Sequence, residues 1–179
     1  MTRSRTPWTL TLCLLTLALP ALADEGNGTV TCDITENGEA GSGELSVMLE
    51  GKEIARGTCG KDLSVAAGSY TAVFHLDGSL DSPEQSQPLT VKKGAKVQLK
   101  AEFATGVLEI RIASQGKRAA GMAVIKRGGQ QIGTLGSGVA AHLSAGTYDV
   151  VARYRTQDKA WSEVKVAAGQ RVTLEAAFE

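Results

Sequence analysis

Aromatic side chains are scarce in this 179-residue chain, at 4%, and there are only two histidines, three cysteines and four prolines. Each shortage excludes something. His75 and His142 cannot be joined by spacing into the three or four convergent ligands of a metal site, or into an oriented Ser-His-Asp base. The cysteines form no CxxC, which removes the usual redox pair and zinc signature. With 19 basic and 19 acidic residues there is no excess charge, which argues against a dedicated nucleic-acid binder. Few aromatics leave base stacking with little support. No window keeps a 3.6-residue apolar period with caps, so little helix is expected.

The one long apolar stretch is Trp8 to Leu19, preceded by Arg3 and Arg5 and followed by Pro20 and Ala21-Leu22-Ala23. Basic start, short apolar core and small-x-small end describe an export signal peptide over residues 1–23. The stretch is short of the roughly 20 residues a bilayer span needs. We therefore expect a periplasmic, secreted or surface protein beginning near Asp24, without membrane insertion after cleavage. Cys13 leaves with the signal. Cys32 and Cys59 remain as an even pair, expected to form a disulfide worth roughly 3–4 kcal/mol in the chain-entropy model.

The remainder repeats itself. At a shift of 78, Gly28, Gly38, Gly43, Gly51, Gly68 and Tyr70 fall on Gly106, Gly116, Gly121, Gly129, Gly146 and Tyr148. After the loop Asp77 to Gln87 the shift becomes 75, and Val91, Gly94, Val97, Leu99 and Phe103 fall on Val166, Gly169, Val172, Leu174 and Phe178. Within each copy apolar residues alternate, as in Leu108, Ile110, Ile112 and in Tyr148, Val150, Ala152, Tyr154, the period of half-buried strands. Asn37-Gly38, Gln115-Gly116, Gly128-Gly129, Ala145-Gly146 and Ala168-Gly169 read as turns in which glycine supplies a positive φ. The expectation is all-β: β-sandwich repeats over 24–104 and 105–179. Ala104-Thr105 is too short a link to be a flexible tether.

The second copy runs Gly106-Val-Leu-Glu-Ile-Arg-Ile, Gly121-Met-Ala-Val-Ile-Lys, Leu143-Ser-Ala-Gly-Thr-Tyr-Asp-Val-Val-Ala-Arg-Tyr and Val164-Lys-Val-Ala-Ala-Gly-Gln-Arg-Val-Thr-Leu. It resembles the prealbumin-like repeat modules of bacterial exported proteins, of carboxypeptidase-regulatory-like, PEGA or Cna-B type. The first copy resembles them through Val65-Ala-Ala-Gly-Ser-Tyr-Thr-Ala-Val-Phe and Val91-Lys-Lys-Gly-Ala-Lys-Val. The resemblance implies tandem Ig-like or prealbumin-like sandwiches serving as stalks, adhesion modules or accessory domains. Cna-B-type modules often join Lys in the first strand to Asn or Asp in the last. Here Thr29 to Ile34 and Val107 to Ile112 lack Lys, and Val97 to Phe103 and Val172 to Glu179 lack Asn and Asp, so no isopeptide bond is expected.

No catalytic, cofactor or metal site is read from the sequence. His75 and His142 are taken as a strand-face residue and a residue near a turn. The loop Asp77-Gly-Ser-Leu-Asp81-Ser-Pro-Glu84 lacks calcium-loop spacing and is taken as solvated. Gly133 to Gly138 lacks the GK[ST] of a phosphate loop. Charge is more informative. Residues 24–103 hold 7 basic and 13 acidic residues, a net −6, and residues 104–179 hold 10 and 6, a net +4. Arg111, Arg153, Arg155 and Arg171, on the non-core parity of their strands, are candidates for binding a protein or acidic polysaccharide of the envelope. The expected function is a non-enzymatic binding, adhesion or spacer module. Alternatives are an accessory subunit of a larger envelope complex, or a small hydrolase with an unrecognised site.

Overall fold

A computed structural model describes residues 26–179. The segment 1–23, Cys13 and the expected start near Asp24 lie outside the described residues. The protein is all-β, and no helix occurs among those residues. The first half holds β1 (Asn27–Glu36), β2 (Glu39–Ala40), β3 (Gly43–Leu49), β4 (Lys52–Thr58), β5 (Leu63–Ala66), β6 (Gly68–Leu76), β7 (Glu84–Val91) and β8 (Lys96–Phe103). The second holds β9 (Thr105–Ser114), β10 (Lys117–Arg118), β11 (Met122–Arg127), β12 (Gln130–Gly136), β13 (Ala140–Ser144), β14 (Gly146–Tyr154), β15 (Gln157–Val166) and β16 (Arg171–Phe178).

Alternating apolar residues give each half two sheets with facing inner surfaces. One sheet has the order β4-β3-β6-β7, matched by β12-β11-β14-β15. In the other, β1 pairs antiparallel with β2 and β5 and parallel with β8, just as β9 pairs with β10, β13 and β16. Val30, Cys32 and Ile34 of β1 meet Leu45 and Val47 of β3 and Ala72, Phe74 and Leu76 of β6 in one core. Leu108, Ile110 and Ile112 of β9 meet Ala123 and Ile125 of β11 and Tyr148, Val150 and Ala152 of β14 in the other. Each fully buried large side chain contributes about 1.5–3 kcal/mol. Short turns fix the registers. Asn37-Gly38 and Gln115-Gly116 take positive φ at both positions, 53° and 87°, then 50° and 72°, as a two-residue turn compatible with strand twist requires.

Ala145-Gly146 departs from the turn reading. Gly146 does not take a positive φ, and only Ala145 separates β13 from β14, where the chain crosses between sheets. The Tyr two residues later explains the pattern. Tyr148 Oη donates to the Ser144 carbonyl at 2.6 Å, and Tyr70 Oη to the Ala66 carbonyl at 3.0 Å, each four residues back around the corner. Glycine makes room in the first copy, since a Cβ on Gly68 would lie 2.8 Å from Tyr70 Oη. Tyr148 is buried and Tyr70 half-buried. Tyr148→Phe should therefore lower stability by about 1–2 kcal/mol, and Tyr70→Phe by less, in urea denaturation. Equal losses would contradict this account of the corner.

Cys32 and Cys59 form the expected disulfide, with Cα atoms 4.7 Å apart. It ties β1 to the turn after β4, where Gly60 N–H also donates to the Cys32 carbonyl. At the matching place in the second half, Gly138 N–H donates to the Ile110 carbonyl, and Ser137 Oγ accepts from Ile112 N–H at 3.0 Å. A hydrogen bond accepted by a serine thus stands where the first half has a covalent bridge.

Candidate functional site

The loop between β6 and β7 is not a solvated acidic loop. Its central residues leave the first half and seat on the second. Leu80 packs against the second core, and its N–H donates to the His142 carbonyl at 2.9 Å. The Asp81 side chain is 5% exposed. It accepts from Ser79 Oγ at 2.8 Å and from Ser144 N–H at 3.1 and 3.2 Å, and it shares the Tyr148 hydroxyl, at 3.2 Å, with the nearer Ser144 carbonyl; Arg127 Nη1 lies at 3.5 Å. Burial alone would favour the neutral acid, but hydrogen bonds from Ser144 and Ser79 outweigh it and hold the Asp81 carboxyl below its ordinary value. Burial, and then the Asp81 charge, push the Tyr148 phenol up to about 12, so it remains a donor.

A second set of contacts lies beside this one. Thr105, in the link itself, donates its hydroxyl to Glu36 and its N–H to Asn37 Oδ1 at 2.9 Å. His142 Nδ1 lies 3.1 Å from Glu36 Oε1. The Thr105 hydrogen bond lowers the Glu36 carboxyl against a partial burial penalty, and His142 adds to it. His142 is thus a residue of β13 facing the first half. The sequence signal for the junction was the change of shift from 78 to 75 at the loop Asp77 to Gln87, which is longer than the connection between β14 and β15.

The four candidate arginines do not converge. Arg111 on β9 and Arg171 on β16 flank one carboxylate, Glu109, at 2.7 and 2.9 Å, and Glu175 lies 3.6 Å from Arg111. Hydrogen bonds from Arg111 and then Arg171 hold Glu109 below its ordinary value. Arg153 leaves the outer face of the opposite sheet, paired with Asp158 at 3.3 Å. Arg155 does not share its strand face. It lies past the end of β14 with φ 53°, its guanidinium 5.2 Å above the Tyr154 ring. Trp161 sits under Lys159, whose ammonium is 5.4 Å from the ring.

The structure also brings together a trio that spacing did not reveal. Ser46 Oγ of β3 is 3.3 Å from His75 Nε2 of β6, and His75 Nδ1 is 3.2 Å from Glu84 Oε1 of β7. These are the atoms of a Ser-His-Glu relay, but the proton runs the wrong way. Ser46 donates its hydroxyl to Glu53 Oε2 at 2.7 Å and offers His75 a lone pair. A nucleophilic serine needs the opposite order. Ser46 is moreover 1% exposed, in a central strand. Arg56 closes the network, bridging Glu53 at 2.7 Å and Glu44 at 2.9 Å. No group of three or more metal-ligating side chains occurs among the described residues.

No family model matches the chain, and no curated protein matches it in sequence. Among solved structures it is similar to the Bacillus anthracis TIE protein, at 14% identity and TM-score 0.39, over 85% of this chain and 34% of that one. A minor pilin of Streptococcus agalactiae matches at 11% identity and TM-score 0.43, over 85% and 94% of the two chains. The pilus adhesin SpaC of Lactobacillus rhamnosus GG matches at 12% and 0.35, over 83% and 31%. The chain spans about a third of the length of the first of these.

Proposed function

We propose that the chain is a non-enzymatic cell-envelope protein of two duplicated modules, 24–104 and 105–179, exported by its first 23 residues. The first module holds the binding surface of the second at a set distance and angle. The junction is the observation that carries this reading. A flexible tether would leave this loop in water; here Leu80 packs against the second core and the buried Asp81 carboxylate is hydrogen-bonded to Ser144, contacts that must outweigh the entropy of ordering the loop. The charge division, −6 against +4, favours the second module as the binding end for an acidic envelope polymer.

The hydrolase alternative is disfavoured by the direction of the Ser46 hydroxyl and by its burial. Binding of the full chain to immobilised acidic polysaccharide should be retained at low ionic strength and lost steeply with salt, since exposed charges are screened within about 8 Å at physiological strength. Salt-insensitive binding would contradict an electrostatic surface. Ester hydrolysis that disappears in Ser46→Ala would overturn the non-enzymatic reading.

A further inference from the structure

We infer that the free end of the first half is a docking face for another envelope protein, which seats there an acidic loop with a small residue before its carboxylate. The inference does not depend on polymer binding by the second half. It follows from the repeat. The junction shows how this end of a module is covered, and the same end of the first half is bare.

In the second half, Arg127, Ile132 and Ser144 line the cleft against Asp81, Pro83 and Phe103 of the first. At the shift of 78 their places are taken by Leu49, Ile54 and Ala66. The local structure matches. A β-bulge interrupts the hairpin at equivalent places, between Val47 and Met48 and between Ile125 and Lys126. Ala67 N–H donates to the Gly26 carbonyl as Ala145 N–H donates to that of Ala104. Alternation along the strand therefore aims Ala66 N–H away from β1, as it aims Ser144 N–H at Asp81. What differs is the cover. Ile132 is half-buried and Tyr148 buried, whereas Ile54 is 43% exposed, Leu49 is 44% exposed and Tyr70 is half-buried. Two exposed apolar residues at places that the other copy uses for docking mark an interaction face.

The chemistry of the occupant follows from the same comparison. Ala66 N–H and Tyr70 Oη stand where Ser144 N–H and Tyr148 Oη meet the Asp81 carboxylate. Lys52, Lys92 and Lys96, exposed at this end, outnumber Glu50 and favour an acidic partner. The residue before the acid must be small. Leu80 sits over Gly133, where a Cβ would meet its Cγ at 2.7 Å, and the first half has Ala55 at that place. This chain's own loop therefore does not fit the seat. The β14–β15 connection, only Arg155-Thr156, presents no such loop either, so a second copy is disfavoured as occupant.

The test is amide NMR titration of the full chain with cyclised peptides of residues Asp77 to Gln87. With Leu80→Ala in the peptide, shifts should concentrate on Leu49, Ile54, Ala66 and Tyr70. The unaltered peptide should bind more weakly by about ten-fold, and Ala55→Gly in the protein should abolish that difference, a gain that misfolding cannot imitate. Adding Asp81→Asn to the Leu80→Ala peptide should weaken binding by about ten-fold, one charged hydrogen bond. Ile54→Asp should remove peptide binding and leave binding of acidic polysaccharide unchanged. No peptide binding, shifts confined to Arg127, Ile132 and Ser144, or indifference to the carboxylate overturns the face. Self-association of the chain in sedimentation that Ile54→Asp abolishes overturns the assignment to another protein in favour of a second copy.

Discussion

Asp81→Ala should uncouple the two halves and lower the stability of the second by about 3 kcal/mol, the scale for removing a buried, hydrogen-bonded charge. The substitution leaves Ser144 N–H without its acceptor at the junction, while Tyr148 Oη keeps its 2.6 Å hydrogen bond to the Ser144 carbonyl. Asp81→Asn keeps the shape and one acceptor oxygen, and should lose less. Differential scanning calorimetry should show one transition in wild type resolve into two in Asp81→Ala. The pH dependence has a definite sign. The folded-state carboxyls of Asp81 and Glu36 both lie below their ordinary values. Their contribution is present above the ordinary carboxylate range and is lost as pH falls through the lowered folded values. The junction should hold through neutral and mildly acid pH and loosen only in stronger acid, and Asp81→Asn should flatten that acid limb.

The second large effect is confined to the first half. Reduction, or Cys32→Ala with Cys59→Ala, should lower its stability by roughly 3–4 kcal/mol. The second half has no bridge to lose, because Ser137 and Ile110 stand at the cysteine positions. Trp161 packs on the second core and is the only tryptophan among the described residues, so its fluorescence reports that half alone. In Asp81→Ala, where the halves are uncoupled, reduction should leave the Trp161 midpoint in place while the far-UV dichroism midpoint falls; in wild type, which unfolds in one transition, both should fall together. A Trp161 midpoint that falls on reduction of Asp81→Ala would contradict a bridge acting on the first half alone.

Strands and cores were legible because they follow from period-two alternation, in which each residue reports its own side of a sheet. Leu108, Ile110 and Ile112 could be placed inward from the sequence alone, and the even cysteine pair could be joined. The junction was hidden for a physical reason. Asp81 reads as a loop carboxylate next to serine and proline, and its burial depends on Ser144 N–H and Tyr148 Oη, 63 and 67 residues away. The arginines show the same limit. Strand parity separated core from surface correctly for Arg111, Arg153 and Arg171. It could not say that Glu109 occupies two of them, nor that Arg155 lies past the end of its strand, over the Tyr154 ring. The Ser46–His75–Glu84 network was equally invisible, since its members come from three strands of one sheet.

The most direct measurement is the distribution of distances between spin labels at Lys61 and Lys165, attached without thiol chemistry so that the disulfide stays intact. Lys61 lies in the first half and Lys165 in the second, and both are exposed. A junction held by Asp81, Leu80 and Thr105 predicts one narrow distribution in wild type that broadens in Asp81→Ala. A broad wild-type distribution, unchanged by Asp81→Ala, would contradict a fixed two-module protein.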